Sequence, residues 1–199
     1  MFNALLATKE DGQQSVDVTQ IDHASLAETG VLIKIDYSTI NYKDALAITG
    51  AAPIIRQHPL VPGIDLAGTI EDSDDPAWQV GDKVIVNGWG MGEAHSGGLA
   101  QYARVPSSFL VKLPQNMTTR HAMCIGTAGY TAALCADALE AQGVTPTQGE
   151  ILVTGASGGV GSVAVALLSA REFSVGASTG KPGAAAYLTH LGASSIIDR

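Results

Sequence analysis

The sequence predicts an α/β protein in two parts, a mostly β unit over residues 1–120 and an incomplete doubly wound parallel sheet over residues 121–199. Three observations carry this reading. Short apolar runs separated by Gly, Asp and Pro turns fill the first part. After Pro114, strand-like and helix-like runs alternate. Between one such strand and helix lies Gly155-Ala156-Ser157-Gly158-Gly159-Val160-Gly161.

In chain order, strands are expected at 3–7, 31–37, 67–70, 83–86 and 99–105, with one short helix at 43–48. Turns at Asp11-Gly12, Thr29-Gly30, Asp74-Asp75-Pro76 and Gly81-Asp82 separate them. In the second part, helices are expected at 119–124 and 131–142, the latter stopped by Gly143. Then follow strand 151–154, helix 160–171, strand 173–177, helix 184–191 and strand 195–197. Three parallel strands with helices on both faces make one half of a nucleotide-binding sheet. The chain therefore reads as an N-terminal piece of a longer protein.

Composition excludes several function classes. Hydrophobic residues make up 46% of 199, enough for packed cores and too many for a disordered chain. The net charge of −8 disfavours nucleic acid and anionic membrane surfaces, which attract positive fields. Cys124 and Cys135 lie in apolar surroundings without a C-x-x-C spacing, and read as buried free thiols in a reducing cytoplasm. No signal peptide is visible in the first ten residues. Residues 151–170 carry no charge and are long enough to span a bilayer, but their glycines and the switch from strand to helix pattern read as a buried strand and helix.

The glycine turn is the strongest functional signal. Strand, glycine turn and helix place free backbone N–H groups and the positive end of a helix against a diphosphate, the geometry of a dinucleotide site. The spacing is G-x-x-G-x-x-G, so the bare string is weak and its setting carries the weight. After the second strand come Ser178-Thr179-Gly180-Lys181, with no carboxylate to hold ribose hydroxyls. Two hydroxyls and a cation suit a 2′-phosphate, which favours NADPH over NADH; the rival reading is a polar loop ahead of Pro182.

No metal site is expected. The five histidines are scattered and two cysteines cannot build a four-thiolate zinc site. A hydride enzyme without zinc needs a positioned hydrogen-bond donor, and Asn41 and Tyr42 stand where a strand ends and a helix begins. The glycine-rich run at 88–98 reads equally as a substrate loop or a mobile connection.

Taken in order, Asn41-Tyr42-Lys43-Asp44, Pro62-Gly63-Ile64-Asp65-Leu66-Ala67-Gly68, Gly126-Thr127-Ala128-Gly129-Tyr130-Thr131-Ala132 and the glycine turn resemble the medium-chain dehydrogenase/reductase superfamily. Within it the chain resembles the zinc-independent quinone oxidoreductase branch. The Gly88-Trp89-Gly90 and His95-Ser96-Gly97-Gly98-Leu99-Ala100 runs point, inside that branch, to the NADPH-dependent acrylyl-CoA reductases. The resemblance implies a GroES-like catalytic domain followed by the first half of a Rossmann-type NADP-binding domain. Zinc members carry Cys and His near Asn41 and Ile64; neither is present.

Carried over by position, the resemblance places Tyr42 near the nicotinamide and Ser157, Gly158, Gly159 and Val160 at the pyrophosphate, with Gly155 opening the turn. Thr179, Gly180 and Lys181, beside Ser178, would meet the 2′-phosphate, and Thr127 and Thr131 would line the cofactor cleft. The activity so implied is NADPH-dependent reduction of the C=C bond of an α,β-unsaturated thioester, acrylyl-CoA in particular, with Asn41 and Tyr42 as catalytic donors. Lys43, Arg56 and Arg104 are the cations available to CoA phosphates. A quinone or enone reductase and a non-catalytic NADPH-binding fragment are the alternatives. Expected partners are small molecules, without nucleic acid or membrane, and a cytoplasmic homodimer at full length.

Overall fold

The computed structural model describes residues 1–198 and divides into two compact units, Met1–Thr127 and the chain from Ala128 onward. In the first unit, β1 (Phe2–Glu10) and β2 (Gln13–Ile21) form an antiparallel hairpin with Glu10 opposite Gln13. The two linking residues, Asp11 and Gly12, both have positive φ (49° and 82°), the backbone that an Asp-Gly hairpin turn favours. β2 was not among the expected strands because its residues are mostly polar and its apolar members are half or fully exposed.

The remaining strands of this unit are β3 (Val31–Ser38), β4 (Asp65–Asp72), β5 (Lys83–Asn87), β6 (Tyr102–Val105) and β7 (Val111–Lys112). They form one antiparallel sheet in the order β6-β3-β4-β5-β7. Alternate residues of these strands (Val31 and Ile33, Leu66 and Ile70, Val84 and Val86) enter a single core completed by Met91, Ala103, Val105 and Leu110. β6 is shorter than the apolar run at 99–105 because residues 99–101 pair elsewhere. Leu5 N donates to Leu99 O (2.9 Å) and Gln101 N to Asn3 O (3.0 Å), joining them to β1. The helix expected at 43–48 is α1 (Tyr42–Thr49).

α2 (Thr119–Ala141) covers both helices expected in this region and carries the division between the units. It breaks at Gly126, whose φ of 50° and ψ of −166° are outside the helical region. By length and composition α2 is the one helix among the described residues that could cross a membrane; the break leaves pieces too short to do so.

The second unit contains β8 (Glu150–Thr154), α3 (Gly159–Ala170), β9 (Ser174–Thr179), α4 (Ala185–His190) and β10 (Ser195–Asp198). The strands are parallel in the order β10-β9-β8, with Ile151 beside Val175 and Ile196 beside Ala177. This is the α/β half-sheet that strand–helix alternation predicts. Its core gathers Ala136, Val165, Leu168, Phe173, Val175 and Leu188. Burial is less complete than expected. Leu152 is 56% exposed and Val160 40%, and both cysteines are exposed rather than buried. Leu152, Val160 and Cys135 line one open cavity together with Ala132, Ala136 and Leu139, while Leu134 lies on the exposed side of α2.

Candidate functional site

In the second unit the glycine turn leaves the C-terminal end of β8 and enters α3. Ala156 is fully buried and its N–H donates to Ser178 O (3.0 Å), so the turn is pinned to β9. Gly158 N donates to Gly155 O (2.9 Å), and Gly158 is the N-cap of α3. A Cβ on Gly161 would lie 2.4 Å from Gly155 O, so only glycine permits the turn to close against the helix. The first-turn N–H groups of α3 have no partner within the helix and emerge at this turn, where the helix dipole is positive.

Facing them, Thr179 and Lys181 complete a cavity of about 360 Å³ lined by Gly155, Ser157, Gly158, Thr179, Gly180 and Lys181. Ser157 Oγ and Thr179 Oγ1 are hydrogen-bonded at 2.9 Å, and Lys181 N donates to Thr179 Oγ1 (3.2 Å). Ser178 and Thr179 are buried residues of β9 rather than loop residues, with 9% and 4% exposure. Ser178 serves the turn through its carbonyl. Lys181 is exposed and forms no ion pair among the described residues. Gly159 and Val160 form the first turn of α3, and Thr131 is a half-buried residue of α2.

The first unit holds a second constellation, built around Asp65 at the start of β4, a residue of the Pro62–Gly68 motif to which the sequence assigned no role. Its carboxylate is fully buried and accepts four hydrogen bonds. Oδ2 accepts from Asn41 Nδ2 (2.8 Å) and Thr127 N (2.8 Å). Oδ1 accepts from Asn87 Nδ2 (2.7 Å) and Thr127 Oγ1 (2.5 Å). Asn41 caps α1, and Asp44 of the first turn accepts from Asn41 N (2.7 Å) and Ile64 N (3.0 Å).

Asp44 is almost fully buried, and burial pushes its carboxyl above the usual carboxylate range. Hydrogen bonds from Asn41 and Ile64 oppose that rise, and the neighbouring Asp65 charge adds to it. The Asn41 amide nitrogen also lies 3.3 Å from Asp44 Oδ2, so both of its hydrogens face carboxylates. Tyr42, the next residue, is 81% exposed and its hydroxyl bonds to no described residue.

The run at 88–98 is ordered by packing. Met91 is fully buried, Trp89 stacks on Phe109 (5.1 Å between centroids, 9° between planes), and Gly97 N donates to Val61 O (2.6 Å). Glu93 from this loop binds Lys43 Nζ (2.5 Å) and Arg56 (3.6 Å). Arg104 is a structural strut, holding Gly30 O and Asp72 at 2.8 Å each. Of the three candidate phosphate-binding cations it is the one least available. No cluster of metal-ligating side chains occurs among the described residues.

Residues 27–115, which hold the Asp65 constellation as far as Asn87, match the alcohol dehydrogenase GroES-like domain family. This segment is a GroES-like domain. The chain is 49% identical to the acrylyl-CoA reductase AcuI of Ruegeria pomeroyi over 201 residues, 100% of this chain and 61% of the relative. The crystal structure of the yhdH oxidoreductase of Salmonella enterica in complex with NADP superposes with a TM-score of 0.97 at 48% identity, over 99% of this chain and 61% of that one. Bacillus subtilis yhfP, solved with NAD bound, superposes with a TM-score of 0.94 at 49% identity, over 99% and 60%. The chain thus spans about 60% of the length of these three relatives. The resemblance to the medium-chain dehydrogenase/reductase superfamily is borne out by these matches.

Proposed function

We propose that this chain is the cofactor-binding and donor-bearing part of an NADPH-dependent oxidoreductase that reduces the C=C bond of an α,β-unsaturated thioester, acrylyl-CoA in particular. The observation that carries the reading is the cavity of Gly155, Ser157, Gly158, Thr179, Gly180 and Lys181, with the first-turn amides of α3 on one side and, on the other, an ammonium without an ion pair among the described residues. It fits a diphosphate and a 2′-phosphate: the turn admits no Cβ at Gly161, and no carboxylate lines the cavity to repel the extra phosphate. Relatives support both halves of the reading, one named as an acrylyl-CoA reductase and one solved with NADP.

NADPH, when bound, supplies a hydride; with one proton from the protein or solvent, acrylyl-CoA becomes propionyl-CoA and the cofactor becomes NADP⁺. The Ser157–Val160 backbone would hold the pyrophosphate, and Lys181 would neutralise the 2′-phosphate with Thr179 and Gly180 beside it. In this reading Tyr42, whose phenol bonds to no described residue, donates a hydrogen bond to the thioester oxygen as charge builds there, and Tyr42 or water then delivers the proton to the α-carbon. Asn41, whose amide is held by Asp65 and Asp44, fixes the start of α1 from which Tyr42 projects. Thr127 and Thr131 belong to the cofactor-binding set. Lys43 and Arg56 stand as cations for the CoA phosphates, Glu93 being their resting counter-ion. The resemblance also supports a cytoplasmic homodimer for the longer protein.

The test follows absorbance at 340 nm with this chain and with a version extended to the relatives' length. Oxidation of NADPH matched by loss of acrylyl-CoA supports the reading. Turnover of a small quinone but not of acrylyl-CoA replaces it with quinone reduction. Saturable NADPH binding with no oxidation by either acceptor leaves a binding module only.

A further inference from the structure

We propose that Asp65 is the positioning residue of the catalytic unit: its one buried carboxylate sets Asn41 ahead of Tyr42, Asn87 ahead of the loop at 88–98, and Thr127 at the restart of α2. This rests on the reductase reading for its catalytic consequence, though not for its geometry. The three bonded residues lie on different elements, the N-cap of α1, the end of β5 and the residue after the Gly126 break. Each borders a candidate functional group, and they have no hydrogen-bond acceptor in common other than Asp65.

Four donors converge on a carboxylate with no exposed surface and no cation among its hydrogen-bond partners. A fully satisfied carboxylate of this kind holds its donors in one geometry, because every alternative leaves a charge or an N–H unpaired. The break at Gly126 is shaped around it. A Cβ on Gly126 would lie 3.1 Å from Asp65 Oδ2 and 2.9 Å from Thr39 Cγ2, so the carboxylate and the restarting helix fit without intervening atoms.

The two oxygens are not equivalent. At Oδ2 both partners are N–H groups, which can only donate. At Oδ1 the Asn87 amide can flip and the Thr127 hydroxyl can rotate, so both can accept instead. Asp65→Asn therefore has one good arrangement, its carbonyl on the Oδ2 side and its NH₂ toward Asn87. Asp65→Ala has none.

The experiment uses both variants, with three readouts: the melting transition, hydrogen exchange at the Thr127 amide together with the Asn41 and Asn87 side-chain resonances, and kcat and KM at saturating NADPH with acrylyl-CoA. In Asp65→Asn, Thr127 exchange stays near wild type, the Asn87 resonances move and kcat falls about tenfold. In Asp65→Ala, Thr127 exchange quickens at least tenfold and kcat falls about a hundredfold. Adding Asn41→Ala to Asp65→Ala lowers kcat by less than the product of the single losses, because the two act as a unit.

Unchanged Thr127 exchange in a folded Asp65→Ala, kcat within twofold of wild type in either variant, or multiplicative losses in the double variant each overturn the proposal. If Asp65→Ala does not fold, Asp65→Asn decides: unmoved Asn87 resonances overturn the assignment. If the wild-type protein oxidises no NADPH, the reductase reading fails, while the exchange and resonance results still decide whether Asp65 sets these three residues.

Discussion

Ser157 Oγ and Thr179 Oγ1 lie 2.9 Å apart, one hydrogen bond joining the glycine turn to the end of the neighbouring strand. Thr179 also accepts from Lys181 N, so the same hydroxyl orients the turn and the residue offered to the 2′-phosphate. Thr179→Val keeps the shape and removes both bonds. Each neutral bond contributes about 1 kcal/mol, so loss of both is expected to lower NADPH affinity by up to about thirtyfold, read by titration of NADPH fluorescence. Unaltered affinity would show that the turn needs no such brace.

Tyr42 is 81% exposed, and removing its hydroxyl disturbs no packing. Tyr42→Phe is expected to melt within about 0.5 kcal/mol of wild type while turnover of acrylyl-CoA drops about a hundredfold. Steady-state kinetics on the extended protein check this. Full turnover removes Tyr42 from the mechanism.

Gly126 combines φ 50° and ψ −166° with neighbours that leave no room for a side chain. Gly126→Ala is expected to destabilise the chain by about 2–4 kcal/mol through strain and displacement of Thr39 or Asp65. Urea unfolding measures it. A loss below about 1 kcal/mol would mean that the break relaxes freely.

Asp44 gives a pH signature. Its carboxyl is raised above its usual 3.8 in the folded chain, chiefly by burial. The folded state then holds a proton that the unfolded state has released, so stability from this group is complete below the unfolded pKa and is lost as pH rises through the folded one. Asp75 and Asp82 are shifted downward and act with the opposite sign, so the difference between wild type and Asp44→Asn is the useful quantity. Asp44→Asn loses an acceptor for Asn41 N at every pH. Its deficit relative to wild type is expected to shrink as pH rises above about 4, in urea unfolding at several pH values. A deficit that grows over that range contradicts the assignment.

Much of the second unit was legible because periodicity and turn chemistry agree there. β8, α3, β9, α4 and β10 lie within a few residues of the expected elements, and the glycine turn stands between strand and helix as its spacing requires. In the first unit the apolar strands were legible, while β2 and the two-residue β7 were not, since an exposed polar strand has no burial pattern to betray it. Asp65 was hidden for a different reason. An aspartate inside an apolar run carries no local sign that Asn41, Asn87 and Thr127 will converge on it, because those contacts span 24, 22 and 62 residues. The exposed cysteines were misread because apolar neighbours in sequence do not decide which face of a helix is covered.

The most direct test of the cofactor assignment is a parallel titration of NADPH and NADH into the wild-type chain and Lys181→Ala. NADPH is predicted to bind the wild type more tightly than NADH, and Lys181→Ala to weaken NADPH about tenfold or more while leaving NADH within about twofold. Equal weakening of both cofactors, or none for NADPH, contradicts the placement of the 2′-phosphate at Lys181.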